Sequence, residues 1–276
     1  MRIDAHQHFW AYDAGRDTWI TDDMSGLRRD FLPGDLEPVL AANGIAGCIA
    51  VESAPSLEQT QFLLALARDH SFIGGVVGWV DLFAADIETR LSVLAADPRF
   101  VGVRVGAQNE ADDFLTRADV IRGIAAVGAA GLPFDILIRE RQLPSAIGLT
   151  RVLPDQTFVL DHIAKPRIRE RVLEPWATHV RELAQNPRVF CKVSGMVTEA
   201  DWQGWRPEDL TPYLDVVFSA FGTERTMFAS DWPVCLVAAG YGRVIGVLEQ
   251  YLARFGGAER VAVFGGNAAR CYLRGR

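Results

Sequence analysis

Ile45-Ala46-Gly47-Cys48-Ile49-Ala50-Val51 is an uncharged run, preceded by Asn43-Gly44 and followed by Glu52. A strand covered on both faces reads as a continuous apolar run, whereas a half-exposed strand alternates. The stretch therefore predicts a strand within a parallel sheet that helices cover. Upstream, Pro33-Gly34-Asp35 opens a helix that runs through Ala42, and Asn43-Gly44 closes it. Downstream, Pro55 to Asp69 carries Leu57, Gln61, Leu64 and Arg68 at helix spacing, and Phe72 to Val80 is a strand again.

The same unit repeats outward from this centre. Further helices are predicted over Asp86 to Ala96, Arg117 to Ala130, Gln142 to Val152, Pro175 to Gln185 and Leu210 to Phe221. Between them lie apolar strands at Phe100 to Val105, Leu132 to Ile138, Thr157 to His162, Arg188 to Ser194 and Arg225 to Asp231. With Ile3 to His8 these make eight strands. Alternation of this kind leaves a doubly wound sheet or a closed barrel, and eight regular units in a chain of 276 residues favour a single (β/α)8 TIM barrel. No linker-like composition interrupts it, so 1–276 is expected to be one domain. Two more helices, Tyr241 to Phe255 and Gly266 to Leu273, are expected to pack on the outside. The segment 9–31, rich in aromatic and acidic residues without a clean period, is expected to be an active-site loop.

The composition is that of an ordinary globular chain, 49% hydrophobic and 23% charged. A net charge of -7 offers no basic footprint for nucleic acid or an anionic membrane. The four cysteines stand far apart, and no segment resembles a signal peptide or a membrane span. The expected location is cytoplasmic.

In such barrels the active site lies at the carboxyl ends of the strands. His6 and His8 end the first, and with strict alternation Asp4, His6 and His8 share one face. Glu52 and Asp81, after the second and third, are read as caps of the following helices. Arg104 lies on the fourth strand; the sixth ends Asp161-His162-Ile163-Ala164-Lys165-Pro166, the seventh carries Lys192 and Ser194, and the eighth ends in Asp231. Three imidazoles and a carboxylate thus converge on one axis. Trp10, Trp79, Arg104 and Lys192 are candidate substrate-binding residues. For Trp10, Tyr12 and Trp19, packing over the mouth is an equal alternative.

At these residues the sequence resembles the amidohydrolase superfamily, and more narrowly the amidohydrolase-2 branch. That branch holds sugar lactonases of the fuconolactonase and rhamnonolactonase type and the pyrone-dicarboxylate lactonase. The resemblance rests on Ile3-Asp4-Ala5-His6-Gln7-His8, Gly78-Trp79-Val80-Asp81-Leu82, Gly102-Val103-Arg104, Asp161-His162, Lys192-Val193-Ser194-Gly195, Ala229-Ser230-Asp231-Trp232-Pro233 and Phe264-Gly265-Gly266-Asn267-Ala268. It implies a lactonase in which Asp231 handles the hydrolytic water, His6, His8 and His162 stabilise the oxyanion, and Arg104 binds substrate. Binuclear members bridge their metals with a carboxylated lysine, but here the fourth strand offers Arg104 and the fifth Asp135. The resemblance therefore implies no strictly required cofactor. One divalent metal, zinc, is the optional one, held by His6, His8, His162 and Asp231. The expected partner is a small lactone such as that of L-fuconate or L-rhamnonate, with no nucleic acid or membrane, and a homo-oligomer is allowed. The alternative is a mononuclear zinc hydrolase or decarboxylase acting on a carboxylated ring such as a pyrone dicarboxylate. Asp4 is the candidate to fix an imidazole tautomer from behind.

Overall fold

The computed structural model describes residues 1–273. Eight parallel strands follow one another in chain order around a single sheet. They are β1 (Ile3–Gln7), β2 (Gly47–Val51), β3 (Ile73–Gly78), β4 (Phe100–Gly106), β5 (Phe134–Leu137), β6 (Phe158–Leu160), β7 (Val189–Val193) and β8 (Thr226–Phe228). Backbone hydrogen bonds beyond β8 close the last seam. The Asp231 N–H donates to the His6 carbonyl at 2.9 Å, and the His8 N–H donates to the Trp232 carbonyl at 2.7 Å. The barrel therefore shuts through the backbones of candidate site residues, which ties their spacing to closure of the fold.

Helices α1 (Pro33–Ala42), α2 (Leu57–Asp69), α3 (Ile87–Ala95), α4 (Ala118–Ala129), α5 (Leu143–Val152), α6 (Trp176–Leu183) and α7 (Pro207–Phe221) alternate with the strands, and α8 (Tyr241–Leu252), α9 (Gly257–Val261) and α10 (Asn267–Tyr272) follow. Leu36, Leu63, Leu91, Ile124 and Leu214 on the helices bury against Val76, Val103, Ile136 and Leu160 on the strands. A second cluster, with Ile3, Ile49, Val77, Val159, Phe190 and Met227, fills the barrel. Each such side chain contributes about 1.5–3 kcal/mol when fully buried. No described helix is long and apolar enough to cross a membrane.

Four details differ from the expectations above. α7 starts at Pro207 instead of Leu210, because proline suits the first turn and the Asp209 carboxylate accepts the Arg206 N–H at 2.9 Å. The sixth and eighth strands stop at Leu160 and Phe228, and the residues beyond them leave extended geometry. Of the tail helices, α10 is not external: its Tyr272 joins the cluster inside the barrel and seals the end opposite the cavity. Finally, Asp4 is not on the face of His6 and His8. Asp4 pairs with Cys48 but Gln7 with Ala50, so β1 carries one extra residue against β2. That bulge flips alternation. Asp4 points outward, where it accepts from the Tyr241 hydroxyl of α8 at 3.0 Å and the Ser230 N–H at 2.9 Å.

The segment 9–31 is tied at its ends by reciprocal Trp10–Phe31 backbone hydrogen bonds of 3.0 and 2.9 Å. Inside it, the buried Asp17 carboxylate accepts the Asp13 N–H at 2.9 Å and pairs with Arg16.

Candidate active site

A cavity of about 690 Å³ opens at the carboxyl ends of the strands, and His8, Glu52, Trp79, Arg104, His162, Lys165 and Asp231 are among the groups that line it. The bulge in β1 turns both His6 and His8 inward, His6 being fully buried just beneath the cavity floor. His162 follows β6 in a left-handed backbone, and Asp231 follows β8 at φ 59°.

The ring protons are fixed by partners. His8 Nδ1 lies 2.8 Å from the Val51 carbonyl, which can only accept, so Nδ1 carries the hydrogen. His6 Nδ1 lies 3.3 Å from both the Asp161 carboxylate and Lys192 Nζ, and it is the Arg104 Nη1 donor 3.4 Å from Nε2 that assigns the hydrogen to Nδ1. Both Nε2 atoms therefore present lone pairs, and they stand 3.1 Å apart. Asp231 Oδ1 is 3.4 Å from His8 Nε2 and 3.9 Å from the Nε2 atoms of His6 and His162. Three acceptors, the Nε2 atoms of His6 and His8 and Asp231 Oδ1, thus crowd one point beside His162.

Burial favours the neutral forms of the imidazoles. It brings His162 down to about 4, outweighing the carboxylates of Asp231 and Asp161. Burial also pushes His6 well below the ordinary imidazole value, against Asp161 and with help from Lys192. For Asp231 burial acts the other way, but the imidazoles of His162, His8 and His6 outweigh it and hold the carboxyl well below the usual carboxylate range. At neutral pH the site is thus an ionised Asp231 among neutral His6 and His162. Three imidazole nitrogens and one carboxylate oxygen form a donor set that suits zinc. The His6, His8 and Asp231 donors, and those of His6, Asp161 and His162, each lie within 4.8 Å of one another.

Arg104 is buried and closely held: its Nε donates to Glu52 Oε1 at 2.8 Å, its Nη2 to the Glu52 carbonyl, and its Nη1 lies 3.5 Å from Asp161 and 3.4 Å from His6 Nε2. Glu52 is therefore the partner of Arg104 and not a helix cap, a place taken by Ser56, whose Oγ accepts the Gln59 N–H at 3.1 Å. Asp81 lines the cavity and accepts the Phe83 N–H at 2.9 Å.

Two candidate substrate-binding residues lie away from the cavity. Trp10 is buried against Phe31 and Trp19 and donates its Nε1–H to the Arg29 carbonyl at 2.9 Å. Trp19, from the same segment, does line the cavity. Lys192 is fully buried below the site, paired with Asp135 and, at 3.1 Å, with Asp161. Tyr272 donates to that same Asp135 from the far end of the barrel. Sequence reasoning assigned no role to Asp161, Ser194 or Tyr272. Asp161 orients His6, and Ser194 Oγ is 2.8 Å from His162 Nδ1. Their signal was faint: an acid beside a histidine and a serine two residues after an inward lysine.

The amidohydrolase family model matches residues 3–274. This chain belongs to the amidohydrolase family. Among its amidohydrolase relatives, the L-fucono-1,5-lactonase of Burkholderia multivorans is 43% identical over 99% of this chain and 96% of its own length. A crystal structure of an amidohydrolase from Burkholderia multivorans with bound zinc superposes with a TM-score of 0.95 at 43% identity, covering 99% of each chain. The fold alone is shared with a probable 2-pyrone-4,6-dicarboxylic acid hydrolase from Acinetobacter baumannii, at TM-score 0.79, 16% identity and 98% coverage of each chain.

Proposed function

We propose that this amidohydrolase opens the ring ester of a sugar-acid 1,5-lactone with water. The observation that carries the reading is an ionised Asp231 at the cavity floor, within 3.9 Å of three imidazole nitrogens. The full-length likeness to an L-fucono-1,5-lactonase supports the substrate class. A doubly charged ring draws less support, because Arg104, which lines the cavity, is already matched by Glu52 and Asp161.

Ester hydrolysis needs a base for the attacking water and positive potential where the carbonyl oxygen gains charge. Asp231 takes the water proton. Its carboxylate is kept ionised, so it is ready to accept at neutral pH. Arg104 directs its guanidinium edge and charge toward the carbonyl, and Glu52 holds it in place. Trp79 supplies an apolar wall for the ring.

The crowded lone pairs fit a cation, and His6, His8, His162 and Asp231 would hold a single zinc. Bound there, it would polarise the carbonyl and acidify a water. Asp161 serves such ligation from behind by fixing the His6 tautomer.

A panel of sugar 1,4- and 1,5-lactones, followed with a pH indicator before and after exhaustive chelation, tests both parts. Turnover of a 1,5-lactone is expected, and chelation decides the metal: a loss that zinc restores gives zinc a role. Inertness toward the whole panel rejects the lactonase reading, and full activity after chelation rejects the need for metal.

A further inference from the structure

The cavity is larger than opening a single sugar ring requires. At about 690 Å³ it falls in the range of about 300–1,000 Å³ that encloses drug-sized molecules, and one sugar ring leaves much of it unfilled. Its inner part holds the reacting groups already described. The outer part is built by the segments that carry the same strands past their ends. β3 ends at Gly78, and the chain beyond it puts first Trp79 and then Phe83 on the wall. β4 carries Arg104 and ends at Gly106, and the chain beyond it adds Asn109 and Phe114.

Among the described residues only two aromatic side chains are exposed, Trp19 at 38% and Phe83 at 46%, and both line this cavity. Apolar faces left to water in a concave site mark a place that a ligand covers. Both rings are held in advance. Trp19 packs edge-on against the buried Trp10, with ring centroids 5.7 Å apart. Phe83 meets Phe114 edge-on at 6.5 Å, and the Arg117 guanidinium, anchored by Asp119 at 2.6 Å, lies 5.6 and 5.7 Å from the two ring centroids. The Phe83 backbone is fixed as well, its N–H donating to Asp81 at 2.9 Å and its carbonyl accepting from Arg122 at 3.3 Å. Rings fixed beforehand lose little freedom when a ligand arrives. Asn109 also lines the cavity, exposed, and its amide has no hydrogen-bond partner among the described residues.

Aromatic faces beside a free amide match the two sides of a sugar ring, whose C–H face stacks on an aromatic while its hydroxyls both donate and accept. A purely apolar group would leave the amide unmatched. We propose that the outer part of the cavity is a subsite for a second sugar ring, so that the preferred substrate is a glycosylated lactone, one whose lactone ring carries a further hexose through a glycosidic bond. This inference rests on the lactonase reading above. The chemistry at the inner ring is the same: water adds to the carbonyl carbon, the bond from that carbon to the ring oxygen breaks, and the glycosidic bond stays intact. Contacts to the second ring lie away from the reacting carbon and act through binding.

The test takes the sugar 1,5-lactone that the parent protein opens fastest, together with its derivatives bearing one glucose on ring oxygen substituents at carbon 2, 3 or 4, and measures kcat/KM for each. At least one derivative is expected to exceed the unsubstituted lactone by about 10-fold, the scale of one well-placed aromatic contact, mainly through a lower KM. Phe83→Ala is expected to erase that preference while kcat/KM on the unsubstituted lactone changes less than about 2-fold, as for an independent site. Phe83→Tyr, which keeps the ring, is expected to retain the preference. Both substrates are compared on one preparation, so partial misfolding lowers the two rates together and leaves their ratio intact. The proposal is overturned if no derivative is opened better than the unsubstituted lactone, if the preference survives Phe83→Ala, or if Phe83→Tyr loses it equally. If the parent protein opens neither the lactones nor their derivatives, the lactonase reading fails instead.

Discussion

Lys192, Asp135 and Asp161 lie in the barrel without access to the cavity, whereas Asp231, His8 and His162, nearer the mouth, line it. The lower group is closed on itself. Lys192 bridges both carboxylates and Tyr272 donates to Asp135. Burial opposes the charge on Lys192, but Asp135 and Asp161 outweigh it and raise its pKa. The upper group is the reverse, with acceptors facing acceptors. Similar residue types thus do two jobs, and what separates them is whether each charge has its complement within reach. A complemented layer adds rigidity, and an uncomplemented one is left wanting a proton, a cation or a substrate.

The largest expected effect lies in the upper layer. Asp231→Asn should lower kcat about 10²- to 10⁴-fold, the usual contribution of a positioned base. The fold should hold, because asparagine tolerates the left-handed φ of 59° at this position. Near-normal rates on every lactone that the parent opens would end the base assignment.

One layer down the balance should invert. Lys192→Met leaves two buried carboxylates without their cation, a change that costs about 3–5 kcal/mol. Urea denaturation should show that loss. If stability is unchanged while kcat collapses, the lower layer belongs to the chemistry and the division between layers breaks down.

The pH dependence of stability sharpens the comparison further. His162 has a folded value of about 4 against 6.5 when unfolded, so the folded state binds its proton more weakly. The stability it contributes is complete above pH 6.5 and is lost as pH falls from there through about 4, a total of about 3 kcal/mol. His162→Asn should flatten that part of the stability curve. An identical slope in the variant would show that His162 is not held neutral.

Much of this was legible in the chain. Apolar runs such as Ile45 to Val51, spaced by helical segments, suffice for a barrel, because a strand covered on both faces has no other way to be written. The positions of His6, His8, His162 and Asp231 at strand ends were equally readable, since the barrel always presents those ends on one side. The pairing of Arg104 with Glu52 was not, nor that of Lys192 with Asp135, because partners 52 and 57 residues apart leave no local trace. Asp4 shows the limit most plainly. Strict alternation puts it with the histidines, and one extra residue in β1 turns it to the other face.

By itself the sequence determined the strand count, the parallel order and the chemical types gathered at the mouth, all consequences of periodicity and of right-handed βαβ connection. Only the tertiary structure decided which of those groups are complemented and which are exposed to the cavity. Register slips, the left-handed turn at 162–165 and the inward Tyr272 arise from packing between distant segments, and it is packing that sets where each charge meets its partner.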